Sequence, residues 1–132
     1  NYPLFVTHFL KALKGKKVVI VCNETASFSG LPLNVIKDFR VGENCIINDW
    51  HLVNEIKNFI NDQKLEDAVF LFSASSLSEV LIYELYKEFD NNTYIDVGTT
   101  LHKHLGMELS RDYLKSYWGG NLHMDLLRDC NG

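Results

Sequence analysis

Apolar and polar positions follow two rhythms along this chain, one of buried strands and one of one-sided helices. Residues 68–72, Ala-Val-Phe-Leu-Phe, form a short unbroken apolar run, the pattern of a strand covered on both faces. Four small residues follow, Ser73-Ala74-Ser75-Ser76, and then the period changes. Leu77, Val80, Leu81 and Leu85 fall on one face at helical spacing. Ser76 and Glu79 have the spacing of a capping box, so the stretch predicts a strand, a serine loop and a helix N-terminus. Upstream, Val18-Val19-Ile20-Val21-Cys22 is β-branched and wholly apolar, which predicts a central strand of a parallel sheet. Thr93-Tyr94-Ile95-Asp96-Val97 predicts the last strand, entered through the turn signal Asp90-Asn91-Asn92 and ended by Gly98.

Helices fill the intervals. One is predicted over 3–14, where Phe5, Phe9 and Leu13 repeat with Val6 and Leu10 beside them and Gly15 supplies the stop. A second runs from a cap at Asn48-Asp49 to Asp62, with Val53, Ile56 and Ile60 on its inner face. Lys37 to Val41 predicts a short edge strand, turned by Gly42-Glu43-Asn44. Strands alternating with helices define an α/β protein with a mostly parallel, Rossmann-like sheet flanked by helices. The expectation is one domain over residues 1–132, with the strands near 18–22, 68–72 and 93–97 as parallel neighbours. No internal repeat or linker interrupts it. The final thirty residues hold Tyr113, Tyr117 and Trp118 before Gly119-Gly120 and show aromatic content without a period.

Composition narrows the function classes. At 132 residues, 46% apolar and 23% charged, the chain has the make-up of an ordinary globular domain. Its net charge of −4, with Lys and Arg scattered, leaves no electrostatic footprint for nucleic acid. No apolar run approaches the roughly 20 residues of a membrane span, and the first residues lack a signal-peptide pattern. Three cysteines, Cys22, Cys45 and Cys130, are odd in number and in no metal-type spacing. A reduced, cytoplasmic protein is expected.

Ligands of open parallel sheets bind beyond the carboxyl ends of the strands. Three loops are expected there: Asn23 to Pro32, Ser73 to Ser76, and Gly98 to His104. Their chemistry suits a polyhydroxylated or phosphorylated small molecule. Ser73, Ser75, Ser76, Thr99 and Thr100 offer hydrogen bonds, and Gly98 permits close backbone approach. The helix after Ser76 presents N–H groups that attract an anion or a polar oxygen. The plainer alternative is a capped helix with no ligand. Glu24 either binds a hydroxyl or metal or caps a short turn after it. Asp96 either holds a sugar hydroxyl or accepts from a loop N–H. His102 and His104 would point one way in a strand, as zinc ligands do, and diverge in a helix; no third ligand is evident. Together, Ser73, Ser75, Asp96, Thr99 and His102 are expected to line one pocket, with Asn23 and Glu24 on its far wall. No catalytic residue is assigned.

Familiar catalytic signatures are absent. The sequence has no G-x-G-x-x-G, no Walker loop, no G-x-S-x-G, no Asp-x-Asp and no Asp-x-Glu. Asp96-Val97-Gly98 matches the start of a methyltransferase motif, but the later glycines are missing and it falls in the last strand.

Three segments in order carry a family resemblance: Val-Val-Ile-Val-Cys-Asn-Glu at 18–24, Phe-Leu-Phe-Ser-Ala at 70–74, and Asn92 to Leu105. The last, Asn-Thr-Tyr-Ile-Asp-Val-Gly-Thr-Thr-Leu-His-Lys-His-Leu, is the most specific. Over about Leu4 to Tyr113 the chain resembles the C-terminal half of glycosyltransferases with the GT-D fold. That resemblance implies a nucleotide-sugar donor at the edge of a Rossmann-like sheet and a glycan or other acceptor. It also implies an Asp-x-Glu motif that assists the diphosphate through a divalent metal, Mn or Mg. This chain lacks the motif, which is expected upstream of Asn1 or on a partner subunit, so no cofactor is expected within the chain itself. The alternative is a non-catalytic Rossmann-like module that binds a sugar, a nucleotide or a partner protein.

Overall fold

The apolar run at 68–72 forms the strand its pattern predicts, and all five of its side chains are buried. In the computed structural model, which describes residues 2–109 and residue 115, the order is α1 (Tyr2–Ala12), β1 (Lys17–Asn23), β2 (Val35–Val41), α2 (Cys45–Asn48), α3 (Leu52–Gln63), β3 (Ala68–Phe72), α4 (Ser76–Tyr86) and β4 (Thr93–Asp96). Tyr113, Tyr117, Trp118, Gly119, Gly120 and Cys130 lie outside the described residues. The chain divides into two units: Asn1–Ala12 with Thr25–Pro32 and the described residues from Thr99, and Leu13–Glu24 with Leu33–Gly98.

The second unit holds the sheet. Its four strands are all parallel in the order β2-β1-β3-β4, so the three strands expected to be parallel neighbours are so. Register follows from alternation: Val19, Val21, Phe70 and Phe72 join Ile56, Ile60, Leu77, Leu81 and Leu85 in one core cluster. These helix positions recur at four-residue spacing, which is why α3 and α4 lie on that face. Val18, Ile20, Cys22 and Leu71 alternate to the other face and are buried as well. Such double burial explains why β1 and β3 read as continuous apolar runs.

The start of α3 differs from the sequence expectation. Asn48 and Asp49 do not cap α3: Asn48 ends α2 and bonds the Glu43 carbonyl at 3.3 Å, and Asp49 Oδ2 reaches back to the Gly42 amide at 3.2 Å. These side chains close the β2–α2 turn instead, and α3 begins at Leu52 after His51. Gly15, by contrast, takes φ 83, the left-handed backbone a glycine adopts without strain. The α4–β4 turn is anchored by buried Asn92, whose amide accepts from the Ala68 N–H at 3.0 Å and donates to the Leu65 carbonyl at 3.1 Å. A polar residue can be buried there because both ends of its amide are bonded.

Candidate functional site

The strand order places a topological switch between β1 and β3. From β1 the chain passes to β2 on one side, and from β3 it passes to β4 on the other. Connections therefore diverge beyond the carboxyl ends of those two strands, which is where open parallel sheets hold ligands.

Hydrogen bonds lace the strand ends together. Asn23 ends β1, and its carbonyl accepts from Arg40 Nη1 at 3.1 Å. Arg40 is also ion-paired through Nε to Asp38 Oδ2 at 2.6 Å. The Glu24 amide bonds the Val41 carbonyl, and its exposed carboxylate lies against Gly42, where an added Cβ would come 3.5 Å from Oε2. No helix follows Glu24 before β2, so it caps no helix there. Ser73 donates its amide to the Val21 carbonyl at 2.8 Å and its hydroxyl to the Gly98 carbonyl at 2.7 Å. Gly98, at φ 53, returns its amide to Asp96 Oδ1 at 2.9 Å. The loop N–H alternative for Asp96 is thus met by one of its two oxygens.

The serine loop is built differently from a capping box. The N-cap is Ser75, not Ser76, and no side-chain cap bond forms. Ser78 Oγ, fully buried, accepts the Ala74 amide at 2.9 Å, while the Leu77 and Ser78 amides fold back onto the Ala74 and Ser75 carbonyls. Glu79 makes no reciprocal bond to the cap. Ser75 turns the chain at φ 50, ψ −137, a region that side chains other than glycine rarely enter. Among the described residues, none accepts from the Ser75 or Ser76 amide, and both side chains are exposed. Two amides and two hydroxyls thus stand together at the positive end of α4.

Asp96 faces another way. With Glu79, Ile82, Tyr83, Tyr86 and Lys87 it lines an open groove of about 450 Å³, and neither Ser73 nor Ser75 belongs to that lining. The sequence pattern singles out Glu79 for the cap but does not mark Ile82, Tyr83, Tyr86 or Lys87 as site residues. Their signal was a second apolar stripe, Ile82, Tyr83 and Tyr86, set apart from the buried Leu77, Leu81 and Leu85.

Thr99, Thr100 and His102 belong to the first unit. The Thr100 carbonyl accepts from the Tyr2 hydroxyl at 2.8 Å. Around His102 and His104 the backbone runs in successive turns, His102 to Thr99, Leu105 to Leu101 and Met107 to His102. The H-x-H pair is therefore not in a strand. Among the described residues no three His, Cys, Asp or Glu converge on a metal site. Burial lowers the pKa of His102, opposed by a hydrogen bond with the Glu108 backbone. Burial also lowers that of His104, with Lys103 adding to the shift.

A lowered folded pKa means the unfolded chain takes up these protons first, so the stabilisation is present above the ordinary histidine value of 6.5 and is lost as pH falls through the folded pKa. Thermal melts between pH 7.5 and 5 will show the midpoint falling with pH, and His102→Gln will flatten that slope. A slope unchanged in the variant would remove His102 as its source.

No family model, curated protein or solved structure matches the chain. No helix among the described residues is long and apolar enough to cross a membrane.

Proposed function

We propose that this chain acts in a glycosyltransferase, as its C-terminal half, and binds a nucleotide-sugar donor at the β1–β3 switch. One observation carries the reading. Among the described residues the Ser75 and Ser76 amides and hydroxyls have no partner at the α4 N-terminus, beside the strand ends joined by Ser73. Amide donors at a helix N-terminus match the oxygens of a diphosphate, and the serine hydroxyls match those of a sugar. Asn23 closes the β1 side of this edge, with Glu24 after it. The resemblance of 18–24, 70–74 and 92–105 to GT-D glycosyltransferases points the same way.

Charge balance sets what this chain does alone. A departing nucleoside diphosphate develops negative charge that a divalent ion offsets, an effect worth several kcal/mol. The described residues hold no cluster fit for such an ion, and the sequence has no Asp-x-Glu pair. On this reading the carboxylates that hold Mn or Mg lie outside the described residues, as the GT-D resemblance implies.

The test is amide-resolved NMR of residues 1–132 titrated with uridine and guanosine diphosphate sugars, alongside an assay for released nucleoside diphosphate with Mg²⁺ or Mn²⁺. Signals of Ser75, Ser76 and Asn23 will move, and no turnover will be seen. Unmoved signals in that loop would end the donor-site reading. Robust turnover would instead end the claim that metal-holding groups lie elsewhere.

A further inference from the structure

We infer that two copies of this chain join through β4 and α4, extending the sheet across a twofold axis. Among the described residues β4 is an edge strand that pairs only with β3. The Val97 amide donates to the Phe72 carbonyl, so by strand alternation the main-chain groups of Tyr94 and Asp96 point away from β3. No described residue bonds these two amides or their carbonyls. Beside this open ladder, α4 brings Ile82, Tyr83 and Tyr86 to a groove whose exposed surface is almost wholly apolar. Tyr83 and Tyr86 are 66% and 59% exposed. An open strand edge next to an apolar stripe is a surface for association.

A second copy fits both parts at once. Antiparallel pairing of β4 with its counterpart, centred on Ile95, sets Tyr94 of each copy opposite Asp96 of the other. The two residues then exchange N–H···O=C bonds, and every outward main-chain group is satisfied. Strands lie about 4.8 Å apart, and α4 crosses back over the β3–β4 pair. Two copies joined at β4 therefore hold their α4 axes about 10 Å apart, the separation at which helices pack. The tyrosine stripes cover each other there. Charge agrees with this arrangement, because the two α4 helices run antiparallel and bring Glu79, at one end, toward Lys87 at the other. Among the described residues Glu79 has no ion-pair partner, and Lys57 already pairs with Glu84 and Glu88. A lone peptide strand would fill the ladder and leave the stripe open; a lone helix would do the reverse. The sheet's other edge is guarded, since β2 carries Lys37 and the ion pair of Asp38 with Arg40, charges that oppose strand addition.

This association does not depend on the donor reading, and its test contains no nucleotide. Residues 1–132 are followed by sedimentation equilibrium from about 5 to about 500 µM, the range in which so small an interface associates. The mass will rise from one copy to two and stop there, because a twofold contact closes on itself. Amide hydrogen exchange read by NMR will slow at Tyr94 and Asp96 as the dimer fills. Tyr83→Lys, at a site exposed in the single copy, will keep the melting temperature of the dilute chain and weaken association by at least about tenfold. The inference is overturned if the chain stays monomeric to the top of that range, or if the mass passes beyond two copies. It is equally overturned if a dimer forms while the Tyr94 and Asp96 amides exchange as fast as before, or if Tyr83→Lys dimerises as tightly as the parent.

Discussion

Phe70→Ala will lower the unfolding free energy by about 3–5 kcal/mol and the melting temperature by more than about 10 °C. Phe70 sits in the middle of β3, fully buried, between Val19 of β1 and Tyr94 of β4 in the strand register. Its ring lies 6.4 Å from that of Phe72 and 5.1 Å from that of Tyr94. Truncation removes the transfer energy of the ring and leaves a cavity that strands on either side cannot close, since both are held in register by ladder bonds. A domain has only about 5–15 kcal/mol in total, so this one change removes a large share of it. Urea unfolding followed by circular dichroism measures it, with Tyr83→Ala as an exposed control expected within about 0.5 kcal/mol. A loss below about 1 kcal/mol for Phe70→Ala would mean that β3 is not the centre of the core.

Burial explains which parts of the fold were legible in the sequence. β1 and β3 are covered on both faces, so nearly every residue in them is apolar and the run announces the strand. β2, at one edge, alternates between half-buried and buried positions only toward its end. For that reason the sequence pattern predicts only Lys37 to Val41 and not the start at Val35. Four-residue α2 is too short to show a period, and Asn48 and Asp49, expected to cap α3, close the turn before α2. Polar side chains such as Asn48 and Asp49 can satisfy a turn or a helix equally well, and nothing in the local sequence decides between them.

The candidate site was legible where topology alone decides it. Parallel strands oblige the loops after Asn23, Phe72 and Asp96 to emerge at one edge, and alternation of elements predicts the parallel sheet. Side-chain direction was not legible. One oxygen of Asp96 is held by the Gly98 amide, at positive φ just past the strand end. Tyr83 and Tyr86 were hidden because aromatic residues on a helix read first as core. The conformation of Ser75 was hidden most completely, since a glycine is the usual marker of such a backbone and none stands there.

Ser75→Gly will raise the stability of the chain by about 1 kcal/mol while weakening its hold on a nucleotide sugar. At φ 50, ψ −137 a residue with a Cβ carries strain of order 1–3 kcal/mol. Glycine releases that strain and gives back roughly 0.5–1 kcal/mol through the greater freedom of its unfolded chain, so the balance favours the variant. The amide keeps its place at the start of α4, because the turn is held by Ser78 Oγ on Ala74 and by the Leu77 and Ser78 amides. Only the hydroxyl is lost. Strain retained at an exposed serine, where glycine would serve the fold better, is the pattern of a position kept for what it contacts. Ser75→Val will do the opposite to the fold, since a β-branched side chain tolerates positive φ still less. Paired melts and donor titrations on the two variants separate fold from function. A stabilised Ser75→Gly that binds the donor as tightly as the parent would show the serine hydroxyl to be idle, and the α4 N-terminus would then rest on its amides alone.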